Sequence, residues 1–280
     1  MKTAFPAHTE YMPSFYTHYA IARNTFLSLP SDVQNRLRPH LPLYFFGAQG
    51  ADFCFFYRAV RSFASNRQNF GSYLHRYGGR AVFTLMQTLS LRDSRLLAYA
   101  LGYVTHYAAD CTFHPFVYAM AGKSHVQHSR IENALDGYFK TLDCTIDPYL
   151  QYFGKILSNE DADDLFFLFA AIAAKTGFPP LVKRAFLRAL SLFNSYMGIP
   201  SALFRQNKPL LNMLLNENKK TWFYPADPTI SSTDGANDLF KRSVSTAQHL
   251  TNEFLFSVKH QTPLSISLFN NNFLTGLPLA

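Results

Sequence analysis

Leu101-Gly102-Tyr103-Val104-Thr105-His106-Tyr107-Ala108-Ala109-Asp110-Cys111-Thr112-Phe113-His114-Pro115 sets two histidines and an aspartate four residues apart in a largely apolar run. On an α-helix each four-residue step turns a side chain by about 40°, so His106, Asp110 and His114 stay within an arc of about 80°. One helical face therefore presents two imidazoles and a carboxylate, and the apolar residues beside them bury that face. Polar groups so placed are costly unless something pairs or coordinates them.

A second helical stretch follows at Ser124-His125-Val126-Gln127-His128-Ser129-Arg130-Ile131-Glu132, where His128 and Glu132 are again four apart. A single histidine and carboxylate at this spacing is ordinarily a surface pair. Two such sets in neighbouring helices point instead to metal, because imidazole nitrogen and carboxylate oxygen are ligands that zinc accepts. Asp136, one turn beyond Glu132, is placed to orient His128 or Glu132 from behind. His125 reads as an exposed first-turn residue, and His8, His40, His249 and His260 have no partner at informative spacing.

Outward from these helices the apolar residues keep recurring at three and four positions, and strand-like alternation is rare. The expected fold is all-α, a single-domain multi-helix bundle over residues 1–260 followed by an irregular tail, 261–280, laid along the surface. Expected helices run from Thr17 to Leu29, Asp32 to Arg38, Gly50 to Arg67, Gly71 to Ser90, Arg92 to Ala121, His125 to Asp143, Asp161 to Thr176, Pro180 to Met197, Pro200 to Leu215 and Ser232 to His260. Ser31 with Asp32, and Ser124, mark helix starts, and Gly177 before Pro179-Pro180 marks an end. Trp222 to Asp234, rich in turn residues, reads as a lid or a linker.

Composition agrees with a folded core: 48% of the 280 residues are hydrophobic, 16% are charged, and 28 Phe with 16 Tyr supply bulk. The formal charge of +8 favours anionic partners, among them lipid headgroups and phosphorylated compounds. Lys and Arg are scattered, which suits a solvated basic face better than a nucleic-acid patch. Cys54, Cys111 and Cys144 lack the spacing of a thiolate zinc site or a disulfide framework and read as small buried residues. The N-terminal residues lack the apolar stretch of a secretory signal, so a cytoplasmic location is expected. The most apolar run, Leu165 to Ala174, is half the roughly 20 residues a membrane span needs and reads as a buried helix.

The run from Gly102 through His114-Pro115, followed by His128-Ser129-Arg130-Ile131-Glu132, resembles the core motif of the zinc-dependent phospholipase C family, which is all-helical and binds up to three zinc ions in one cleft. Met12-Pro13-Ser14-Phe15-Tyr16-Thr17-His18 resembles that family's early histidine motif. Gly47-Ala48-Gln49-Gly50-Ala51-Asp52 resembles its Gly-x-x-x-x-Asp turn, and His75 matches the histidine of the next helix. Trp222-Phe223-Tyr224-Pro225 is similar to a segment of the bacterial branch. The resemblance implies His18, Asp52, His75, His106, Asp110, His114, His128 and Glu132 as ligands of two or three zinc ions. Asp52, His75, His106 and Asp110 would share one ion, Asp110 and His18 a second, and His114, His128 and Glu132 a third.

Two departures set the chain apart from secreted members of that family. Here His18 lies far from Met1, which puts in question the N-terminal amine that ligates zinc in those members, and the step from Asp110 to His114 is shorter. The resemblance implies a hydrolase of phosphodiester bonds, with Asp52 as ligand or base toward the attacking water, and with phospholipid and peripheral membrane contact as the natural partners. Zinc nucleases specific for single strands share the fold and are the first alternative. A metal-binding helical scaffold without activity is the second. Nucleotide phosphohydrolases with an adjacent His-Asp pair are disfavoured, because the sequence has no His-Asp dipeptide.

Overall fold

The computed structural model describes residues 15–58, 69–77, 79–91, 93–122, 124–143, 147–197 and 208–279. The helices are α1 (Phe15–Ser28), α2 (Ser31–Leu37), α3 (Leu41–Gly47), α4 (Phe70–Tyr77), α5 (Gly79–Ser90), α6 (Ser94–Ala121), α7 (His125–Leu142), α8 (Asn159–Thr176), α9 (Lys183–Met197), α10 (Lys208–Leu215), α11 (Ala236–His260) and α12 (Ile266–Phe269). Strands β1 (Trp222–Tyr224) and β2 (Asp227–Ser232) form one antiparallel hairpin. Among the described residues the architecture is otherwise helical, and no helix is long and apolar enough to cross a membrane.

The bundle is organised round α6, whose 28 residues span about 42 Å at 1.5 Å per residue. Asp93 caps its start by accepting a hydrogen bond from the Arg95 amide, and Gly122, with φ of 60°, ends it. Between Leu97 and Val117 it is buried almost all round, as expected of a helix whose neighbours cover every face. Helices α3, α5, α7 and α11 pack on it, with α1 lying across α6, α7 and α11.

The α3–α6 crossing is close enough to need glycine on both sides. A Cβ on Gly102 would stand 2.0 Å from the Tyr44 carbonyl oxygen, and one on Gly47 would stand 2.3 Å from that of Tyr99. Two glycines thus let backbone meet backbone, and this brings the turn after α3 onto the face of α6 that carries the histidines.

Several boundaries differ from the sequence reading, for local reasons. Ser124 caps α7 and Gly177, with φ of 79°, closes α8, but Ser31 lies inside α2, where Pro30 stands at the cap position without a side-chain bond. The expected helix from Gly71 to Ser90 is two helices, with Gly79 (φ 32°) opening the second. In place of a helix starting at Gly50, the chain makes a 3₁₀ turn, Asp52–Phe56; the rest of that segment from 59, residues 200–207 of another expected helix, Met12 to Ser14 and Cys144 lie outside the described residues. Cys54 is buried and Cys111 half-buried. Helix α3, unassigned in the sequence, begins with Pro42 in its first turn.

The stretch Trp222 to Asp234 is a β-hairpin rather than an irregular loop, so α11 begins at Ala236 and not at Ser232. Trp222 donates to the Asp234 carbonyl at 2.9 Å and packs edge-on against Phe116 of α6. The tail after α11 is half-buried or exposed along most of its described length and turns four side chains inward: Leu264, Phe269, Phe273 and Leu274 are buried, with Phe273 only 1% exposed.

Candidate metal centre

Five elements bring the ligand-type side chains to one place: α1 carries His18, the 3₁₀ turn Asp52, α4 His75, α6 His106, Asp110 and His114, and α7 His128 and Glu132. All are buried except His128, which is half-buried. Their ligand atoms form three groups, each within 4.8 Å of one another: His18 with His106 and Asp110, Asp52 with His75 and His106, and His114 with His128 and Glu132.

The geometry of the inner set is specific. His75 Nε2 lies 3.1 Å from Asp52 Oδ1 and 3.5 Å from Asp110 Oδ2, while His106 Nε2 lies 3.7 and 3.1 Å from the same two oxygens. The two Nε2 atoms are 3.4 Å apart. Two ligands at 2.0–2.1 Å from one tetrahedral zinc stand about 3.3 Å apart, so these distances match five of the six edges of such a site. The oxygens of Asp110 divide their attention: Oδ2 faces His75 and His106, and Oδ1 faces His18 at 3.4 Å and His114 at 3.8 Å. In the outer group, Glu132 Oε1 is 2.9 Å from His128 Nε2 and 3.7 Å from His114 Nε2.

Close approach here is not hydrogen bonding throughout. Both Asp52 oxygens and Asp110 Oδ2 are buried and make no hydrogen bond among the described residues. Carboxylates left so would be destabilising, since a buried anion needs a partner. Meanwhile His75 Nδ1 lies 2.9 Å from the Gly71 carbonyl and His114 Nδ1 2.9 Å from the Phe273 carbonyl. A carbonyl only accepts, so Nδ1 carries the proton in each ring and Nε2 is left as a lone pair aimed inward. Lone pairs and anionic oxygens converging without donors between them fit a divalent cation.

The proton affinities carry the same demand for positive charge. Burial pushes Asp52 up, whereas Asp110, despite burial, is held well below the usual carboxylate range by His106 and His114. Burial and the neighbouring His106 lower His18 to about 3, which keeps it in the neutral form that ligates. His75 works against burial and is driven well up by Asp110 and Asp52, and His114 likewise rises to about 9 under Asp110 and Glu132.

The surrounding residues fix these positions. Gly50, with φ of 55°, lies flat on the His106 ring, where a Cβ would come within 2.0 Å of Cδ2, and its carbonyl accepts from the Tyr99 hydroxyl at 2.9 Å. Asp136, set behind His128 or Glu132 in the sequence reading, is engaged at the start of α1. Its oxygens accept from the Tyr16 and Thr17 amides at 2.9 and 2.8 Å, and from the Thr17 hydroxyl at 2.8 Å. It therefore caps the first turn of α1, whose amides have no partner within their own helix, and so anchors the helix that bears His18.

A cleft open to solvent lies over Asp52, Asp110 and the outer group, walled by Phe55, Tyr118 and Leu274. His125 is half-buried at this cleft rather than exposed. Tyr103, Tyr107 and Phe116 are core residues, as their apolar setting suggested. Neither Phe273 nor Leu274 carried any signal in the sequence, because one acts through its main chain and the other is an ordinary leucine.

Fold and site together define a helical protein built round a buried histidine–carboxylate centre of a kind that takes divalent metal. The family model described as zinc dependent phospholipase C matches residues 17–178, more than half of the chain, and the chain belongs to that family. The match contains all eight candidate ligands and stops short of the hairpin, α11 and the tail. No curated protein and no solved structure gives a significant match.

Proposed function

We propose that this protein is a zinc-dependent phosphodiester hydrolase that cleaves a phospholipid at the glycerol side of its phosphate. The observation that carries the reading is the near-tetrahedral set of Asp52, His75, His106 and Asp110, extended by the second oxygen of Asp110 toward His18. In this reading Asp52, His75, His106 and Asp110 would hold one zinc, Asp110 and His18 a second, and His114, His128 and Glu132 a third. Zinc bound there supplies positive charge to phosphoryl oxygens and acidifies nearby water.

The chain's own groups do the rest. Asp52 lines the cleft and its carboxylate oxygens make no hydrogen bond among the described residues, so an oxygen not engaged by metal is placed to accept a proton from the attacking water. The walls of Phe55, Tyr118 and Leu274 present apolar surface to the substrate beside its phosphate. A formal charge of +8 draws the protein toward anionic lipid surfaces.

The test is metal content, measured on protein purified without chelators, together with hydrolysis of phosphatidylcholine vesicles and of single-stranded DNA. Two or more zinc ions per chain with release of phosphocholine are expected. Cleavage of DNA alone would replace phospholipid by nucleic acid as substrate, and a metal-filled protein inert toward both would mark a scaffold.

A further inference from the structure

The segment after α11 lies outside the family match, yet it reaches the metal centre. Residues 270–279 close on themselves: the Asn272 amide donates to Leu277 O at 2.8 Å, the Gly276 amide to Asn272 O at 2.8 Å, and the Leu279 amide to Asn270 O at 2.7 Å. This loop is pinned to α6 from two sides. The Tyr107 hydroxyl, next to His106 in the chain, donates to Leu268 O at 3.0 Å and accepts from the Asn271 amide at 3.0 Å. One turn on, Pro115 has no amide to offer the Cys111 carbonyl, and Gly276 (φ 64°) packs on that oxygen, where a Cβ would come within 2.6 Å.

From this docked position one residue serves two ligand histidines. The Phe273 carbonyl holds His114 Nδ1 at 2.9 Å, and the Phe273 amide donates to the main-chain oxygen of His75 at 3.0 Å. Its ring packs edge-on against His75, and Leu274 forms part of the cleft wall. A histidine that ligates metal requires its other ring nitrogen to be fixed, and loss of such a partner typically weakens metal binding about 10–100-fold.

We propose that the loop Asn270–Leu279 is a working part of the metal centre: its docking on α6 sets the ring of His114 and the helix end bearing His75, so that metal binding and tail docking are one coupled equilibrium. The inference rests on the zinc-centre reading given above. Coupling is reciprocal, so whatever factor the docked tail adds to zinc affinity, bound zinc must add to tail docking.

That reciprocity permits a test on the unaltered chain. Amide hydrogen exchange is followed in zinc-loaded and zinc-stripped protein, and the amides of Asn272, Phe273 and Gly276 are expected to exchange about tenfold faster after stripping, beyond any change across α8. In parallel, the zinc affinity of Gly276→Val is measured by chelator competition, with circular dichroism checking the helical fold. The expected loss is about 10–100-fold. Equal exchange of the tail amides in the two states would overturn the proposal even if the variant failed to fold. A folded Gly276→Val that binds zinc as tightly as the parent would overturn it as well. A parent protein that takes up no zinc would instead overturn the zinc centre itself.

Discussion

Helix α1 carries two polar clusters that look alike in composition and differ in how their charges are met. On one side His18 joins Asp110, His106 and the other ligand-type residues, where carboxylate oxygens face lone pairs and several make no hydrogen bond among the described residues. On the other, Arg23 reaches Asp143 and Asp147 at 2.7 Å each, while the hydroxyls of Tyr16 and Tyr19 donate to the same two carboxylates at 2.6 Å. Each contact there matches a donor to an acceptor. The second cluster is complete as a set of side chains and fastens α1 to the end of α7, whereas the first is complete only with something cationic added. Burial of charge alone therefore does not mark a functional site; burial of acceptors with no donors between them does.

The largest effect that sharpens this contrast is expected for Asp110→Asn, which removes the shared carboxylate. Zinc content should fall by at least one ion per chain and hydrolysis by about a thousandfold, a loss of several kcal/mol in transition-state stabilisation. Asp143→Asn in the complete cluster should leave zinc content unchanged. Elemental analysis and initial rates on the two variants decide it, and a zinc-replete, active Asp110→Asn protein would dissolve the distinction.

Gly50→Ala comes next. The new methyl would meet the His106 ring, and the backbone there is left-handed, so a destabilisation of about 2–4 kcal/mol is expected together with weaker zinc binding. Arg23→Ala should cost about 2–3 kcal/mol, since it strips the cation from the buried Asp147 and the partly exposed Asp143. Zinc stoichiometry should not change, and urea unfolding with metal analysis separates the two variants. If Arg23→Ala also lost zinc, the clusters would not be independent.

The smallest effect concerns Asp136. Burial, partly offset by the three hydrogen bonds it accepts at the start of α1, raises its carboxyl to about 7. The folded state then binds a proton that the unfolded state releases above about pH 4, so this residue's contribution to stability is present in acid and declines as pH rises toward 7. Asp136→Asn has no such titration. Measured as the stability of the variant minus that of the parent, the difference should grow more favourable to the variant between pH 5 and pH 8, and a flat difference would contradict the assignment.

How much of this was readable in the chain depended on how local each feature is. His106, Asp110 and His114 share a face because helical rotation fixes their directions within two turns. His128 and Glu132 follow for the same reason. His18, Asp52 and His75 sit on three other elements, and no spacing rule relates them to α6; they entered only through resemblance to a family. The short helix α3 was hidden by Pro42 and a run of aromatics, and the hairpin by its prolines and its few residues. Asp136 takes its partners from α1, which its position along α7 does not announce, since sequence distance says nothing of the helix lying across it. Phe273 acts through its peptide groups, which every residue possesses, so no pattern in the side chains singles it out.

The scatter of the ligands over five elements, from His18 to Glu132, also bears on rates. A cage assembled from such distant parts of the chain is closed only after most of the molecule has folded, so contacts to a bound ion arise late, beyond the folding transition state. Interactions of that kind slow unfolding and leave folding speed almost untouched. Zinc would thus act chiefly as a brake on opening: the stripped protein should fold as fast as the loaded one and have a far shorter native lifetime.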